Sequence, residues 1–142
     1  MLFRSNNDYG SNLILNQYKK NNLKNVRILP SMRFEYYLIL LKYSKVIIGN
    51  SSSGIMEAPY YGIPTINIGD RQKNRSKSKT IKHAKFNQKV ILKLINNAFL
   101  KIKRHKPVFE FGTGRSFEVF NKILNSKKLW KINTQKQFQD IK

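Results

Sequence analysis

The order of apolar runs along the chain constrains the fold more than any other feature. Short runs rich in β-branched and aliphatic residues alternate with longer segments that have the periodicity of a helix. The runs predicted as strands are residues 1–4, 25–30, 45–49 and 64–69, with a weaker one near 80–83. The predicted helices are residues 12–21, 33–44, 54–62, about 87–103 and 111–125. Strands that alternate with helices pair in parallel, so the sequence predicts an α/β fold in one domain over residues 1–142, with a parallel sheet flanked by helices on both faces.

The same patterns predict which side chains face the core. The predicted inward residues of the first two helices are Leu13, Leu15, Tyr18, Phe34, Tyr37, Leu38 and Leu41. The third strand, KVIIG at residues 45–49, shows no polar alternation. We therefore expect it to be buried on both faces of the sheet.

Composition limits the classes of protein that this chain can belong to. With 142 residues and 40% hydrophobic side chains it can bury a core, and its formal charge of +21 suggests a polyanionic partner. The basic residues are spread from Arg4 to Lys142 together with many asparagines and isoleucines, so compositional drift explains them better than a specific nucleic-acid site. The absence of cysteine excludes disulfides and thiolate chemistry, and no histidine and carboxylate cluster predicts a metal. No signal peptide or membrane-length apolar run is present, which predicts a soluble, cytoplasmic protein.

An open parallel sheet binds ligands at the carboxyl ends of its strands. The loops that follow the predicted strands are SNNDYGS, PSMRFE, GNSSSG and GDRQKNR. GNSSSG lies between a buried strand and a helix start, where unpaired amides, hydroxyls and small side chains suit a phosphate. Glu57, one helical turn beyond Ser53, suits paired hydroxyls such as a ribose diol. By itself, however, a serine-rich helix cap followed by Glu is also ordinary N-terminal capping.

The longer string NSSSGIMEAP followed by NIGDRQKNR resembles the C-terminal half of the hydrolysing UDP-N-acetylglucosamine 2-epimerases. The non-hydrolysing branch has Asp-Ser-Gly-Gly in place of NSSSG and Thr-Glu-Arg-Pro in place of RQKNR, so the chain follows the hydrolysing branch at both positions. SNNDYGS is similar to the family loop Pro-Asn-x-Asp-x-Gly-Ser, with Ser5 in place of the proline. The resemblance implies a Rossmann-like domain that corresponds to the C-terminal domain of a GT-B-like fold.

The resemblance also implies roles for individual residues. Ser51 and Ser52 would hold the UDP phosphates, and Glu57 would hold the ribose hydroxyls. The other implied UDP-sugar contacts are Asn6 with the nucleotide sugar, Arg71 with phosphate charge, and Ser31 and Met32 with the uracil.

The family releases UDP from UDP-GlcNAc and adds water to give ManNAc for sialic acid synthesis, with acids and bases drawn mainly from its first half. We therefore predict no catalytic residue, no metal and no cofactor in this chain. The expected partners are a UDP-sugar and a missing N-terminal half-domain, with a homo-oligomer left open and neither membrane nor specific nucleic acid involved. Two alternatives remain, the donor domain of a related glycosyltransferase and a basic nucleic-acid-binding module.

Overall fold

The computed structural model describes residues 2–3, 10–20, 24–29, 31–100, 104–133 and 135 of the chain. The strands are β1 (Leu2–Phe3), β2 (Ile28–Leu29), β3 (Ile47–Gly49), β4 (Thr65–Ile68) and β5 (Ile81–Ala84). The helices are α1 (Ser11–Lys20), α2 (Phe34–Tyr43), α3 (Ser53–Met56), α4 (Gln88–Leu100) and α5 (Ser116–Leu124). Two short 3₁₀ helices, Pro59–Tyr61 and Leu129–Lys131, complete the described elements.

The described strands pair in parallel, which confirms the predicted α/β class. β3, β4 and β5 form one sheet, in which Ile47 lies opposite Thr65 and Thr65 lies opposite Ile81. β1 and β2 form a separate parallel pair, in which Leu2 lies opposite Ile28. Within the described residues, the five strands therefore belong to two hydrogen-bonded sheets instead of one.

The core of the larger sheet lies under α2. Leu41 of α2 packs with Ala58 and Ile63, and Ile47 of β3 borders this cluster. α4 contacts β4 and β5. The helices thus flank the three-stranded sheet, as the alternation of apolar runs predicted.

The helix predicted over residues 54–62 is shorter than expected. It is divided into α3 and the 3₁₀ helix Pro59–Tyr61. Pro59 has no N–H to donate to the carbonyl of Ile55, so the α-helical hydrogen bonds cannot continue through it.

Three predictions of inward-facing side chains are wrong. Leu13, Phe34 and Ile48 are 72%, 57% and 42% exposed. Periodicity identifies an apolar face but does not say whether a neighbouring element covers it. By contrast, Leu41 is buried, and the remaining predicted positions of α1 and α2 are half-buried.

Among the described helices, none combines the length and apolar character needed to cross a lipid bilayer.

Candidate functional site

The segment between β3 and α3, residues 50–54, is here called the serine loop. Gly49 ends β3 with a φ of 143°, a backbone conformation that residues other than glycine rarely adopt. The amide of Ser53 donates to Ser51 Oγ at 3.3 Å, and the amide of Gly54 donates to the Ser51 carbonyl at 3.2 Å. The amides of Ser51 and Ser52 have no hydrogen-bond partner among the described residues, and both residues are exposed. The loop therefore offers two backbone donors and exposed hydroxyls to a ligand.

The helix dipole adds little to this loop. α3 has four residues, and the dipole of so short a helix is a small fraction of that of a long one. Any attraction for an anion depends on the free amides, the hydroxyls and nearby basic side chains.

Gly54 allows the serine loop to lie against the sheet. A Cβ at this position would be 2.7 Å from Thr65 Cγ2, closer than non-bonded carbon atoms approach. The hydroxyl of Thr65 donates to the Gly54 carbonyl at 2.6 Å. Only glycine permits this contact, which positions the end of the serine loop on β4.

The carboxylate of Glu57 lies beside the serine loop. Its Oε2 atom is buried, with no hydrogen-bond partner among the described residues. A buried carboxylate oxygen without a donor is costly, so this atom is suited to accept a hydrogen bond from a ligand hydroxyl.

Tyr37 connects the first turn of α2 to the same place. Its hydroxyl shares a hydrogen bond with that of Ser53. Burial raises the pKa of Tyr37 above its ordinary value, the Ser53 hydrogen bond lowers it, and the negative charge of Glu57 raises it further. Tyr37 therefore stays neutral at physiological pH, with its hydroxyl near the Glu57 carboxylate.

A second loop, residues 70–79, follows β4 and is here called the basic loop. It contains five lysines and arginines and one aspartate. Gln72 within it is 1% exposed and donates from Nε2 to the carbonyl of Asn50 at 3.0 Å. Its Oε1 atom accepts a hydrogen bond from Arg75 at 2.7 Å, and Asn74, with a φ of 61°, forms the turn between them. The Gln72 side chain thus ties the basic loop to the serine loop at one edge of the sheet.

Arg71 is one source of the positive charge that the basic loop presents. Asp70 pairs with Lys73 at 2.5 Å, and the pKa of its carboxyl is lowered by that hydrogen bond and by the lysine charge. Arg71 is exposed and makes no ion pair or hydrogen bond with another described residue. Its guanidinium group is therefore available to an anion near the serine loop.

The remaining predicted residues are less fully described. Ser31 is exposed and Met32 half-buried, and both lie just before α2, whose first turn carries Tyr37. No hydrogen bond joins Ser31 or Met32 to the serine loop within the described segments. Asn6 lies outside the described residues.

The sequence did not indicate that two polar residues next to these loops, Gln72 and Asn67, are buried. Asn67 is 1% exposed, and its Nδ2 atom donates to the Gly69 carbonyl and to His83 Nδ1, both at 3.0 Å. Its Oδ1 atom is buried without a partner among the described residues. An asparagine within the apolar run TINI is a signal that could have indicated this position. Nothing in the polar string DRQKNR indicates that its glutamine is buried.

The serine loop and the basic loop follow neighbouring parallel strands and meet at the carboxyl edge of the sheet. Polar and basic loops at this edge are typical of α/β proteins that bind nucleotides. The chain belongs to the UDP-N-acetylglucosamine 2-epimerase family, whose profile matches residues 2–125. The resemblance that the motifs indicated is thus confirmed, and neither the glycosyltransferase nor the nucleic-acid alternative is favoured.

Individual relatives agree with this assignment. The chain is 41% identical over 138 residues to the UDP-N-acetylglucosamine 2-epimerase of Neisseria meningitidis serogroup B, a match covering 96% of this chain and 37% of that protein. It is 38% identical over 92 residues to the GDP/UDP-N,N'-diacetylbacillosamine 2-epimerase (hydrolyzing) of Campylobacter jejuni, covering 65% of this chain and 22% of that protein. It is also 42% identical over 93 residues to polysialic acid biosynthesis protein P7 of Escherichia coli, covering 65% of this chain and 24% of that protein. The chain thus spans well under half the length of each of these relatives.

Proposed function

We propose that the chain is the UDP-binding portion of a hydrolysing UDP-N-acetylglucosamine 2-epimerase. The main support for this proposal is that three groups lie at one edge of a parallel sheet. They are the free amides of the serine loop, the unpaired guanidinium group of Arg71 and the unpartnered Oε2 atom of Glu57. The family match and the hydrolysing designation of the C. jejuni relative support this function.

In the proposed complex, the diphosphate of UDP lies on the serine loop. The amides of Ser51 and Ser52 donate to phosphate oxygens, as in other phosphate sites built from backbone N–H groups. Arg71 offsets the phosphate charge, because a guanidinium group pairs well with phosphate oxygens. The Glu57 carboxylate accepts hydrogen bonds from the ribose hydroxyls, which gives its buried Oε2 atom a partner. Ser31 and Met32 lie beside the uracil, and Asn6 contacts the nucleotide sugar.

In the proposed reaction, UDP is eliminated from UDP-GlcNAc, and water then adds with inversion at C2 to give ManNAc. The C2 proton must be removed and a proton returned, which requires positioned acids and bases. We assign none of these to the chain and place them in the part of the enzyme outside it. The contribution of this portion is to orient the nucleotide, and through it the sugar, against those groups.

The proposal extends to the biological setting. The name of the E. coli relative supports a role in amino-sugar metabolism leading to sialic acid. We place the reaction in the cytoplasm, with a UDP-sugar and the remaining part of the enzyme as partners and without a specific nucleic acid.

Titration calorimetry with UDP tests the binding site. We expect weak binding by the chain, because half of a cleft leaves much of the ligand in water. The double variant Ser52→Ala with Glu57→Ala, which removes one hydroxyl of the serine loop and the carboxylate but keeps the Ser52 amide, should weaken it further. The control Glu118→Ala with Ser126→Ala, in α5 and just after it, should not. Equal UDP affinity of the first double variant and the wild type would refute the site assignment.

A second experiment tests the reaction. The chain is incubated with UDP-GlcNAc alone and after joining to the N-terminal part of the N. meningitidis relative, and UDP and ManNAc are followed by NMR. We expect turnover only by the joined protein. Turnover by the 142 residues alone would show that the acid and base groups do not lie outside the chain, contrary to the proposal. A joined protein that folds and binds UDP but is inactive would refute the proposed reaction.

A further inference from the structure

Two hydroxyls and a carboxylate lie together where α2 contacts the start of α3. The hydroxyls of Tyr37 and Ser53 share a hydrogen bond. The amide of Glu57 donates to the Ser53 carbonyl at 3.1 Å, and side chains one helical turn apart lie on the same face. The pKa of Tyr37 is raised by burial and, to a smaller extent, by the negative charge of Glu57, so this charge lies close to the phenol. The side chains of Tyr37, Ser53 and Glu57 are here called the hydroxyl cluster.

The ring of Tyr37 is held in place by apolar contacts. It stacks on Phe34, with the ring centroids 6.4 Å apart and the planes inclined by 22°. It also packs against the buried cluster around Leu41. A tyrosine side chain has only two rotatable torsions, so contacts that fix the ring also fix the position of its hydroxyl oxygen. Tyr37 therefore presents its hydroxyl to Ser53 from a rigid support.

The acidity of the two hydroxyls decides which of them donates. A phenol is the more acidic group and hence the better donor, so Tyr37 donates to Ser53 Oγ. The proton of Ser53 then remains for another acceptor, and the described part of the chain shows no second hydrogen bond of this hydroxyl. The buried Oε2 atom of Glu57 also lacks a partner there. One donor and one acceptor, on the same face of the turn, are thus available to a ligand.

The chemistry of this donor and acceptor selects one kind of ligand group. A phosphate oxygen accepts from Ser53 but is repelled by the carboxylate of Glu57. An ammonium group donates to Glu57 but has no lone pair for the proton of Ser53. A hydroxyl group satisfies both, because its oxygen accepts while its proton is donated. The hydroxyl cluster is therefore suited to an alcohol group of a ligand.

We propose that Ser53 and Glu57 bind one ribose hydroxyl of the nucleotide between them, and that Tyr37 is a positioning residue that directs the proton of Ser53 to it. This inference rests on the proposed function, in which Glu57 accepts from the ribose. It adds Ser53 as a second contact to the same hydroxyl and gives the third serine of the loop a different role from the first two. Ser51 and Ser52 contact phosphate, whereas Ser53 contacts the sugar.

The hydroxyl cluster thereby determines the selectivity for ribonucleotides over deoxyribonucleotides. A nucleotide without the bound hydroxyl leaves both the Ser53 proton and the Glu57 oxygen without a partner in a half-buried place. Unpaired polar groups of this kind are the reason that a site built to bind a hydroxyl rejects an analogue lacking it. The phosphate contacts are the same for both nucleotides. Changes in the cluster should therefore alter the preference between them, and not only the affinity.

NMR titration of the chain with UDP, 2′-deoxy-UDP and 3′-deoxy-UDP tests the proposal, because it measures weak binding. The wild type should bind one of the two deoxy nucleotides on the order of 10-fold more weakly than UDP. Tyr37→Phe removes only the phenol oxygen, and Ser53→Ala removes the donor itself. Each variant should reduce this preference to about threefold or less.

Two further variants serve as controls. Tyr43→Phe makes the same chemical change at the other end of α2, where the side chain is 72% exposed, and should keep the preference of the wild type. Arg71→Ala should weaken the binding of all three nucleotides by the same factor, because Arg71 contacts phosphate in the proposed complex. The two controls separate the contact with the ribose from general changes in the chain and from the phosphate contacts.

The possible results distinguish this inference from the proposed function. Equal affinity of the wild type for UDP and both deoxy nucleotides would overturn the hydroxyl site while leaving the UDP site in place. An unchanged preference in Tyr37→Phe and Ser53→Ala would do the same, and so would an equal loss of affinity for all three nucleotides, which indicates a structural role alone. If the wild type binds none of the three nucleotides, the proposed function is refuted and the inference falls with it.

Discussion

Replacement of Gln72 tests whether one buried side chain holds the two loops of the site together. Its Nε2 atom donates to the Asn50 carbonyl at 3.0 Å, and its Oε1 atom accepts from Arg75 at 2.7 Å. A neutral hydrogen bond contributes about 1 kcal/mol and one to a charged group about 1.5–3 kcal/mol. Both partners are exposed, so water replaces part of what is lost. Gln72→Met, which keeps the volume, should therefore lower the free energy of unfolding by about 1–2 kcal/mol.

Gln72→Ala adds a cavity to the loss of both hydrogen bonds. The side chain is 1% exposed, so we expect a total loss of about 2–4 kcal/mol. The difference between the two variants separates the packing contribution from the hydrogen bonds. Urea unfolding of the wild type, both variants and the exposed control Gln88→Met gives these free energies.

Loss of the Gln72 hydrogen bonds should also weaken UDP binding, because the basic loop would no longer be held beside the serine loop. A loss of about 1.4 kcal/mol in binding corresponds to tenfold in affinity. If Gln72→Met matches the wild type in both unfolding free energy and UDP affinity, the two loops are held together by other contacts and the reasoning is refuted.

Three further predictions concern packing, pH and charge. Gly54→Ala should lower the free energy of unfolding by about 1–3 kcal/mol through contact with Thr65 Cγ2, and adding Thr65→Ser should restore part of it; no restoration would contradict the contact. Because the pKa of Tyr37 is raised, its contribution to stability is present below pH 10.0 and lost as pH rises through the folded pKa, so Tyr37→Phe should remove that alkaline loss in thermal unfolding at several pH values. Glu110 accepts hydrogen bonds from the Ser76 hydroxyl at 2.5 Å and from the Lys77 amide at 3.1 Å, and these bonds lower its pKa. Glu110→Gln should therefore speed cleavage of the basic loop by trypsin at pH 7. At a pH below the folded pKa, where Glu110 is itself protonated and an acid-stable protease replaces trypsin, the variant and the wild type should be cleaved at the same rate.

The sequence by itself determined the local features of the protein. Strand and helix periods predicted the α/β class, and the motif around Ser51, Ser52 and Glu57 predicted the family. These properties depend on short stretches of chain, in which the spacing of apolar, small and charged residues reflects local backbone geometry.

Only the tertiary structure decided the contacts between distant segments. The burial of Gln72 depends on a carbonyl that lies 22 residues earlier in the chain, and no pattern within DRQKNR encodes that distance. The exposure of Ile48 depends on which strand and helix lie beside it, whereas its apolar character is the same in every environment. The division of the described strands into the pair β1 and β2 and the sheet of β3, β4 and β5 likewise appears only when the strand pairings are known, because pairing is a property of the assembled sheet and not of any single strand.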